Sequence, residues 1–249
     1  MKYKLLSRSA LKWIALITMF IDHIGAILGS DFFQNNGIYW LYLTMRTIGR
    51  LSFPIFAFFV AQGWLFTKNK KRYVLLILLF AVLSQPIYYF ALNQNIFDFN
   101  ILFTFLLSIV IFYFIDKIRE DKTMTPLYCA LVFSILIVVI MLSLMKMPIS
   151  YGVYGVILPV VFYIFSNRET NFKCYVWLIA FVLIFAYWLS MFLFLDKAQF
   201  SSYVDIFALL SLPLLLLYNG KKGKGAPKYL FYVFYPSHIL VIYLITLFI

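Results

Sequence analysis

Residues 16–28 read LITMFIDHIGAIL, a run that is apolar enough to lie inside a lipid bilayer except for Asp22 and His23 at its centre. Ionisable side chains are costly in the hydrocarbon core, so the few that occur there normally face a charged partner or a wet cavity. This stretch therefore predicts a membrane-spanning helix. It also marks a candidate polar site within that helix.

The composition of the chain extends this prediction from one helix to the whole molecule. Of its 249 residues, 65% are apolar and only 12% are charged, and the mean hydropathy is +0.96, far outside the range of soluble globular domains. No polar block between the apolar runs is long enough to fold separately. We therefore predict an all-α integral membrane protein with a single domain over residues 1–249.

The apolar runs predict a single bundle of about nine transmembrane helices, within a range of eight to ten. Each has to cross about 30 Å of hydrocarbon. The span 151–166 is short and contains Pro159, and the span 203–218 contains Pro213 and is also compatible with a re-entrant segment. The predicted spans are 10–29, 40–66, 73–92, 99–115, 126–145, 151–166, 174–195, 203–218 and 229–249.

The distribution of lysine and arginine between alternate connections predicts the orientation of these helices. Cytoplasmic connections carry the excess of positive charge, and one set holds nearly all of it, whereas the opposite set holds only Lys146 and Lys197. The N-terminus is therefore predicted on the cytoplasmic side and Ile249 outside, in a multi-pass protein of the cell membrane. This topology explains the net charge of +12 without nucleic-acid binding.

Two of the basic residues, Arg46 and Arg50, lie inside the second predicted span instead of in a connection. They are four residues apart and therefore share one helix face. Partners for these charges must come from other spans, and Asp22, His23 and His238 lie within a few helical turns of the same depth. We therefore predict that the five residues form one polar site near the membrane midplane.

Asp22 and His23 are adjacent on one helix, so their side chains point about 100° apart and cannot both face one point squarely. We assign Asp22 to an ion pair with Arg46 or Arg50, and His23 to a cavity in which it exchanges a proton. A buried ion-pair cluster without chemistry is the alternative. Pro54 frees the carbonyl of Arg50 from its helical hydrogen bond and predicts a kink beside the arginines.

Seven segments stand out along the chain. They are LKWIALITMFIDHIGAIL (11–28), RTIGRLSFPIFAFFVAQGW (46–64), FAVLSQPIYYFAL (80–92), NILFTFLLS (100–108), YGVYGVILPVVFY (151–163), LPLLLLYNGKKG (212–223) and FYVFYPSHILVIYLI (231–245). In this order they resemble the TraX family, which is similar in turn to the wider group of polytopic membrane acyltransferases that use an acyl-CoA. The family motifs fall on Asp22, His23, Arg46, Arg50, Pro54, Gln85, Asn100, Tyr151, Gly152, Tyr218, Asn219, Gly220, Lys221, Tyr235, Pro236 and His238. Ser237 departs from the pattern, since a larger apolar residue is expected before the histidine.

The resemblance implies an acyltransferase, in which a base deprotonates the incoming amine or hydroxyl and positive charge stabilises the oxyanion on the acyl carbonyl. His23 is then the general base, with Asp22 as its orienting or arginine-pairing carboxylate. Arg46 and Arg50 are candidates to contact the oxyanion or the donor phosphates. His238 is a second proton carrier or positions the acceptor, unless it serves only helix packing.

The implied donor is acetyl-CoA or another acyl-CoA, without a metal, and its phosphates require a basic cytoplasmic loop. The loop YNGKKGKGAPK at 218–228 fits, because its glycines allow backbone amides to approach phosphates and its lysines add positive charge. The connection TKNKKRY at 67–73 is a rival. The residues assigned to the donor are Asn219, Gly220, Lys221, Lys222 and Lys224.

The acceptor implied by the resemblance is not specified by these residues. It is a surface peptide amine, a surface glycan hydroxyl or a membrane lipid head group; the named member of the family is associated with N-terminal acetylation of a conjugative pilin subunit. A proton-coupled secondary transporter is the main alternative, because buried Asp, Arg and His also form proton relays beside broken helices. A structural or assembly subunit of a membrane complex is a third interpretation.

Overall fold

The computed structural model describes residues 5–92, 94, 97–144, 149–165, 174–194, 200–224 and 229–248, and most of this part of the chain is helical. A 3₁₀ segment at Phe200–Leu210 precedes the ninth α-helix. The α-helices are α1 Arg8–Asn35, α2 Tyr39–Gly49, α3 Ser52–Phe66, α4 Lys70–Ala91, α5 Ile101–Glu120, α6 Thr125–Leu144, α7 Gly152–Phe165, α8 Cys174–Phe194, α9 Ser211–Leu216 and α10 Leu230–Thr246.

Several of the helices have the length and the exposed apolar faces that are typical of membrane-spanning helices. Leu75 and Phe90 of α4, and Phe133 and Ile137 of α6, each expose more than half of their surface. Apolar faces of this extent contact lipid in a membrane protein and are rare on soluble monomers. The prediction of an all-helical integral membrane protein is therefore confirmed. Among the described residues, the stretches long and apolar enough to cross a membrane are Arg8–Asn35, Tyr39–Phe66, Lys70–Ala91, Ile101–Glu120 and Thr125–Leu142.

Each predicted span coincides with helix in the described part of the chain. α2 and α3 together fill the second span, and the 3₁₀ segment continues into α9 in the eighth. α7, in the sixth span, has 14 residues and is therefore about 21 Å long, less than the hydrocarbon thickness. Several positions used in the predictions lie outside the described residues, namely Lys2, Lys4, residues 145 and 166, Lys146, residue 195, Lys197, residues 225–228 and Ile249.

The second span is interrupted beside the arginines, as the position of Pro54 predicts. α2 ends at Gly49, residues 50 and 51 form a turn, and α3 begins at Ser52, whose hydroxyl donates to the carbonyl of Gly49 at 2.8 Å. Pro54 then lies in the first turn of α3, where a missing N–H group leaves no helical hydrogen bond unmade. The break places Arg50 at the end of one helix instead of in the middle of a continuous one.

The chain forms two compact units. The first comprises Met1–Phe56 with Cys174–Ile249, and the second comprises Ala57–Lys173. In the first unit α1 packs against α2 and α10, and α2 packs against the 3₁₀ segment. In the second unit α5 packs against α4, α6 and α7. The expectation of a single domain over residues 1–249 stays a prediction.

Hydroxyl side chains of α5 bond to α7 and to the turn that precedes it within the second unit. The hydroxyl of Thr104 donates to the carbonyl of Ser150 at 2.9 Å, and that of Ser108 donates to the carbonyl of Val156 at 3.0 Å. Small polar residues of this kind let helices approach closely in a membrane, where apolar burial alone does not favour one partner over lipid. Beside them lies an apolar cluster of Ile111, Val139, Ile149 and Val156.

Two of the family-motif residues, Gln85 and Asn100, tie α4 to the start of α5. The side-chain amide of Asn100 donates to Gln85 Oε1 and to the carbonyl of Ala81, both at 2.8 Å, while its Oδ1 accepts from the amide of Leu102 at 3.0 Å. Gln85 Nε2 in turn donates to the carbonyl of Asp98 at 2.7 Å. Asn100 is thus the N-cap of α5, and both residues have a structural role.

Candidate active site

Close packing of α1 against α2 positions the candidate site in the first unit. α1 carries Asp22 and His23, and α2 carries Arg46 and leads into Arg50. A Cβ atom on Gly49 would overlap the side chain of Asp22. Glycine at this position therefore allows the arginine-bearing helix to approach the carboxylate to hydrogen-bond distance.

The first part of the site is an ion cluster centred on Asp22. Its Oδ1 lies 2.9 Å from Nη1 of Arg46 and 3.2 Å from Nη2 of Arg50. Arg46 Nη1 also donates to the backbone carbonyl of Asp22 at 3.3 Å. The side chains of all three residues are less than one-fifth exposed. Asp22 therefore pairs with both arginines, where the sequence assigned it to one or the other.

Asp205, on the 3₁₀ segment, completes this cluster and was missed by the sequence analysis. Its Oδ1 lies 3.0 Å from Nη1 of Arg50, and Arg50 Nε donates to the carbonyl of Arg46 at 3.2 Å. Each nitrogen of the Arg50 guanidinium thus has a partner, and the two arginines are matched by two carboxylates. Asp205 lies inside the predicted span 203–218, so the rule that singled out Asp22 as an ionisable group in an apolar run identifies it as well.

Arg46 differs from Arg50 in keeping a donor that the cluster does not use. Its Nε is buried and has no hydrogen-bond partner among the described residues. A buried guanidinium N–H without a partner is unfavourable, and binding a ligand oxygen would relieve that cost. The geometry therefore separates a fully bonded arginine, Arg50, from one that can contact a ligand.

His23 and His238 form the second part of the site. Nδ1 of His23 lies 2.6 Å from Nε2 of His238, and Nδ1 of His238 lies 2.6 Å from the carbonyl oxygen of Phe234. A carbonyl oxygen only accepts hydrogen bonds, so Nδ1 of His238 carries the proton, and in a neutral ring its Nε2 is the acceptor. Nδ1–H of His23 then donates to His238. The Nε2 of a neutral His23 is left with a lone pair that can accept a proton.

Aromatic rings hold the second histidine in place. His238 is 4% exposed, and the ring of Phe234 stacks on it with centroids 4.7 Å apart and an interplanar angle of 14°. The ring of Tyr235 also lies against His238, with centroids 6.0 Å apart and an interplanar angle of 60°. These contacts on α10, together with the bond to the Phe234 carbonyl, fix the orientation of His238 and therefore the tautomer that it selects in His23.

The structure thus brings the five predicted residues into one unit as two adjoining groups. The ion cluster contains Asp22 and the arginines, the histidine pair contains His23 and His238, and the adjacent positions of Asp22 and His23 on α1 join them. The partner that orients His23 is His238, and the carboxylate of Asp22 is bonded to the arginines instead.

The described part of the basic loop, residues 218–224, lies with Leu217 against the beginning of α1. The amide of Leu6 donates to the carbonyl of Leu217, and the amide of Asn219 donates to the carbonyl of Leu6, both at 2.9 Å. The amide of Arg8 donates to the carbonyl of Lys221 at 2.9 Å, so a loop carbonyl caps the first turn of α1. Gly223 has a φ of +74° and lies against the side chain of Ser7, the N-cap of α1.

Comparison with known proteins identifies the family. Residues 7–246 match the family described as TraX protein. The chain belongs to the TraX family. A relative in Dichelobacter nodosus, named "Probable fimbrial assembly protein FimC, serogroup H1", is 30% identical over 251 residues, which cover 93% of this chain and 92% of the relative. No solved structure matches the chain.

In this TraX-family chain the basic loop fits an anionic ligand chiefly through its lysines. The side chains of Lys221, Lys222 and Lys224 are exposed, and Gly220 has a φ of +74° with open space where a Cβ would lie. The amide of Lys221 donates to Oδ1 of Asn219 at 2.8 Å, so that amide is already used. The lysine ammonium groups, more than these backbone amides, are therefore placed to meet phosphate groups.

Proposed function

We propose that this TraX-family protein is a membrane-embedded acyltransferase that moves an acetyl group from acetyl-CoA to an amine or hydroxyl of an acceptor at the cell membrane. The observation that carries the proposal is the hydrogen-bonded chain from His23 through His238 to the carbonyl of Phe234. This chain leaves Nε2 of His23 as a base. Arg46, bonded to the adjacent Asp22, keeps a donor for an anionic oxygen.

The relation of the basic loop to His23 supports an acyl-CoA as the donor. An acyl-CoA supplies a thioester at one end of a long flexible arm and phosphates at the other. The amide of Ser9 bonds to the loop at Lys222, and the same helix, α1, continues to His23. At 1.5 Å per residue, Ser9 and His23 are about 21 Å apart along the axis. The loop lysines near Ser9 can therefore meet the phosphates of an acyl-CoA while His23 acts at its thioester.

Three groups of this chain account for the transfer. Nε2 of His23 takes the proton of the acceptor amine or hydroxyl as its nitrogen or oxygen bonds to the acyl carbon, and later returns that proton to the sulfur released when the carbon–sulfur bond breaks. His238 holds His23 in the tautomer that leaves Nε2 unprotonated. Nε–H of Arg46 donates to the carbonyl oxygen while negative charge develops on it.

The relative's name suggests which acceptor to test first. Because that protein is named for fimbrial assembly, we propose that the acceptor here is the N-terminal amine of a pilus or fimbrial subunit. A surface glycan and a lipid head group are the other acceptors to compare. All three present the amine or hydroxyl that a histidine base requires.

The proposal is tested with purified protein in lipid nanodiscs, given labelled acetyl-CoA and a peptide with a free N-terminal amine. Release of CoA thiol and labelling of the peptide are expected. His23→Ala is expected to lower kcat about 100-fold or more, the usual contribution of a general base, and added imidazole to restore part of it. Thr18→Ala is the matched control, because the Thr18 hydroxyl bonds among the described residues only to the Ile14 and Ala15 carbonyls within α1.

Two results would count against the enzyme. A protein that neither releases CoA thiol nor labels a peptide, glycan or lipid acceptor lacks the proposed activity. Proton-coupled flux in liposomes without any dependence on acetyl-CoA would favour the secondary transporter, whose proton relay needs the same buried groups.

His238 is tested separately as a positioning residue. His238→Phe keeps the aromatic packing but removes the acceptor for Nδ1–H of His23, so we expect kcat to fall more than about tenfold while the KM for acetyl-CoA stays unchanged. A purely structural role for His238 predicts loss of folded protein with normal kcat in the fraction that remains.

A further inference from the structure

A second charged cluster, in the other compact unit, is not used by the proposed reaction. We call it the Asp116 cluster, and it consists of Trp64, Lys70, Asp116, Arg119 and Tyr163. Asp116 Oδ2 accepts from Lys70 Nζ at 2.6 Å and from Trp64 Nε1 at 3.1 Å, and Oδ1 accepts from the hydroxyl of Tyr163. Nη1 of Arg119 lies 3.9 Å from the same Oδ1.

The cluster lies where α3, α5 and α7 end and α4 begins. Trp64 is near the end of α3, Lys70 begins α4, Asp116 and Arg119 are in the last turns of α5, and Tyr163 is near the end of α7. The distribution of basic residues predicts that these ends face the cytoplasm. Trp and Tyr with a polar edge are typical of the interface between hydrocarbon and water.

The charges of the cluster are arranged with the anion inside and the cations outside. The side chain of Asp116 is 20% exposed, whereas those of Lys70 and Arg119 are 48% and 51% exposed. Two positive charges against one leave the cluster with a net charge of +1. The neighbouring Lys117 adds little to this excess, because it pairs with Glu120 at 2.7 Å.

The two cations are already held in place by aromatic rings. Nζ of Lys70 lies 4.5 Å from the centroid of the Trp64 ring, and the guanidinium of Arg119 lies 5.3 Å from that of Tyr163. Arg119 also donates to the hydroxyl of Tyr163 at 3.4 Å. Binding an anion to their exposed sides therefore costs little additional side-chain entropy.

We propose that the Asp116 cluster binds the phosphate of an anionic phospholipid in the cytoplasmic leaflet. Basic groups between membrane helices on that side are suited to lipid phosphates. A lipid fits better than a soluble phosphate because the neighbouring side chains are apolar and exposed: Phe66 is 51% exposed, Tyr113 47% and Ile164 42%. These side chains offer a surface to the acyl chains beside a charged group for the phosphate.

The test compares phosphatidylglycerol with phosphatidylcholine, using full-length protein, native mass spectrometry of bound lipid and thermal unfolding. Lys70→Gln/Arg119→Gln is expected to weaken phosphatidylglycerol binding about tenfold or more, as expected for two basic groups near a lipid phosphate. The control Lys117→Gln/Lys122→Gln removes two charges from the same cytoplasmic region and is expected to bind normally. Lys70→Arg/Arg119→Lys keeps the charge and is expected to retain binding.

A single substitution distinguishes a loss of lipid binding from a loss of folding. Arg119→Gln leaves the Lys70–Asp116 pair intact and removes the net positive charge, so it is expected to keep the wild-type melting temperature in phosphatidylcholine and still lose most of the preference for phosphatidylglycerol.

Three outcomes would overturn the proposal. They are wild-type protein with no preference for phosphatidylglycerol, an equal loss of binding in the Lys117/Lys122 control, and stabilisation by glycerol 3-phosphate as strong as that by the lipid. The last outcome would assign the cluster to a soluble phosphate instead.

Discussion

Arg50 and Asp205 illustrate how a single residue in this membrane protein acquires its role from its partners. Arg50 is bonded to Asp22, to Asp205 and to the carbonyl of Arg46, so its charge is compensated inside the first unit. Arg46 shares Asp22 but keeps a buried N–H without a partner among the described residues. Arg50 therefore joins α2 to the 3₁₀ segment, whereas in the proposed mechanism Arg46 contacts the reacting molecule.

This division predicts that replacing Arg50 chiefly lowers stability, whereas replacing Arg46 chiefly lowers activity. Removing one partner of a buried ion pair leaves an uncompensated charge, so Arg50→Met is expected to lower the free energy of unfolding by about 3 kcal/mol. Arg50→Met/Asp205→Leu removes both charges and is expected to recover part of that loss, with a coupling energy of about 1 kcal/mol or more. Reversible unfolding in mixed detergent micelles measures these values.

Arg46→Met supplies the comparison. It is expected to lower kcat for the proposed acetyl transfer strongly, because its Nε–H is assigned to the oxyanion. The free energy of unfolding is expected to fall less than in Arg50→Met. Equal stability losses for Arg46→Met and Arg50→Met, with equal loss of activity, would contradict the division of roles.

At the level of the helices, Gly49 determines how closely α1 and α2 approach each other. Any side chain at this position meets Asp22, and the carboxylate then has to move away from Arg46 and Arg50. Membrane helices lack a strong apolar driving force toward one another, so close contact depends on such small residues. The break between α2 and α3 also belongs to the level of the helix, because α2 ends at Gly49, immediately before Arg50.

Gly49→Ala is therefore expected to lower thermal stability and abolish the proposed acetyl transfer, although it adds only one methyl group to an apolar helix. The physical reason is displacement of Asp22, which uncouples the two helices. Thermal unfolding and the CoA-release assay measure both effects. Thr44→Ala on the same helix is the control, since Thr44 is exposed and, in the described part of the chain, its hydroxyl bonds only to the carbonyl of Trp40 within α2. A Gly49→Ala protein with wild-type activity would argue against the close-approach explanation.

The topology predicted for the whole molecule places successive connections on alternate sides of the membrane, with the basic connections on the cytoplasmic side. Single cysteines introduced at Asn36 and Gln94 are expected to react with a membrane-impermeant maleimide on intact cells, whereas those at Lys68 and Lys122 react only after lysis. All four positions are exposed, so accessibility to the reagent depends on the side of the membrane. The two cysteines of the chain are first replaced, in Cys129→Ser/Cys174→Ser, so that only the introduced cysteine reacts. Labelling of residues 36 and 122 from the same side would contradict the predicted topology.

Much of the architecture follows from local properties of the sequence. Apolar runs of membrane length, the lysine and arginine bias of the connections, the position of Pro54 and the ionisable residues Asp22, His23, Arg46, Arg50 and His238 are all visible in the chain itself. A helix in lipid makes all of its backbone hydrogen bonds within its own segment. Each span can therefore be recognised from its own residues, without knowledge of its neighbours.

Lateral partners were decided only by the tertiary structure. His23 and His238 are 215 positions apart in the chain yet hydrogen-bonded, and Asp205 joins Arg50 from a 3₁₀ segment whose side chains had no assigned partner. The Asp116 cluster likewise gathers residues from four helices. The sequence alone determined which segments enter the membrane and which charges enter with them; the packing of helices determined which charges meet, because a helix specifies its own depth and faces but not its neighbours.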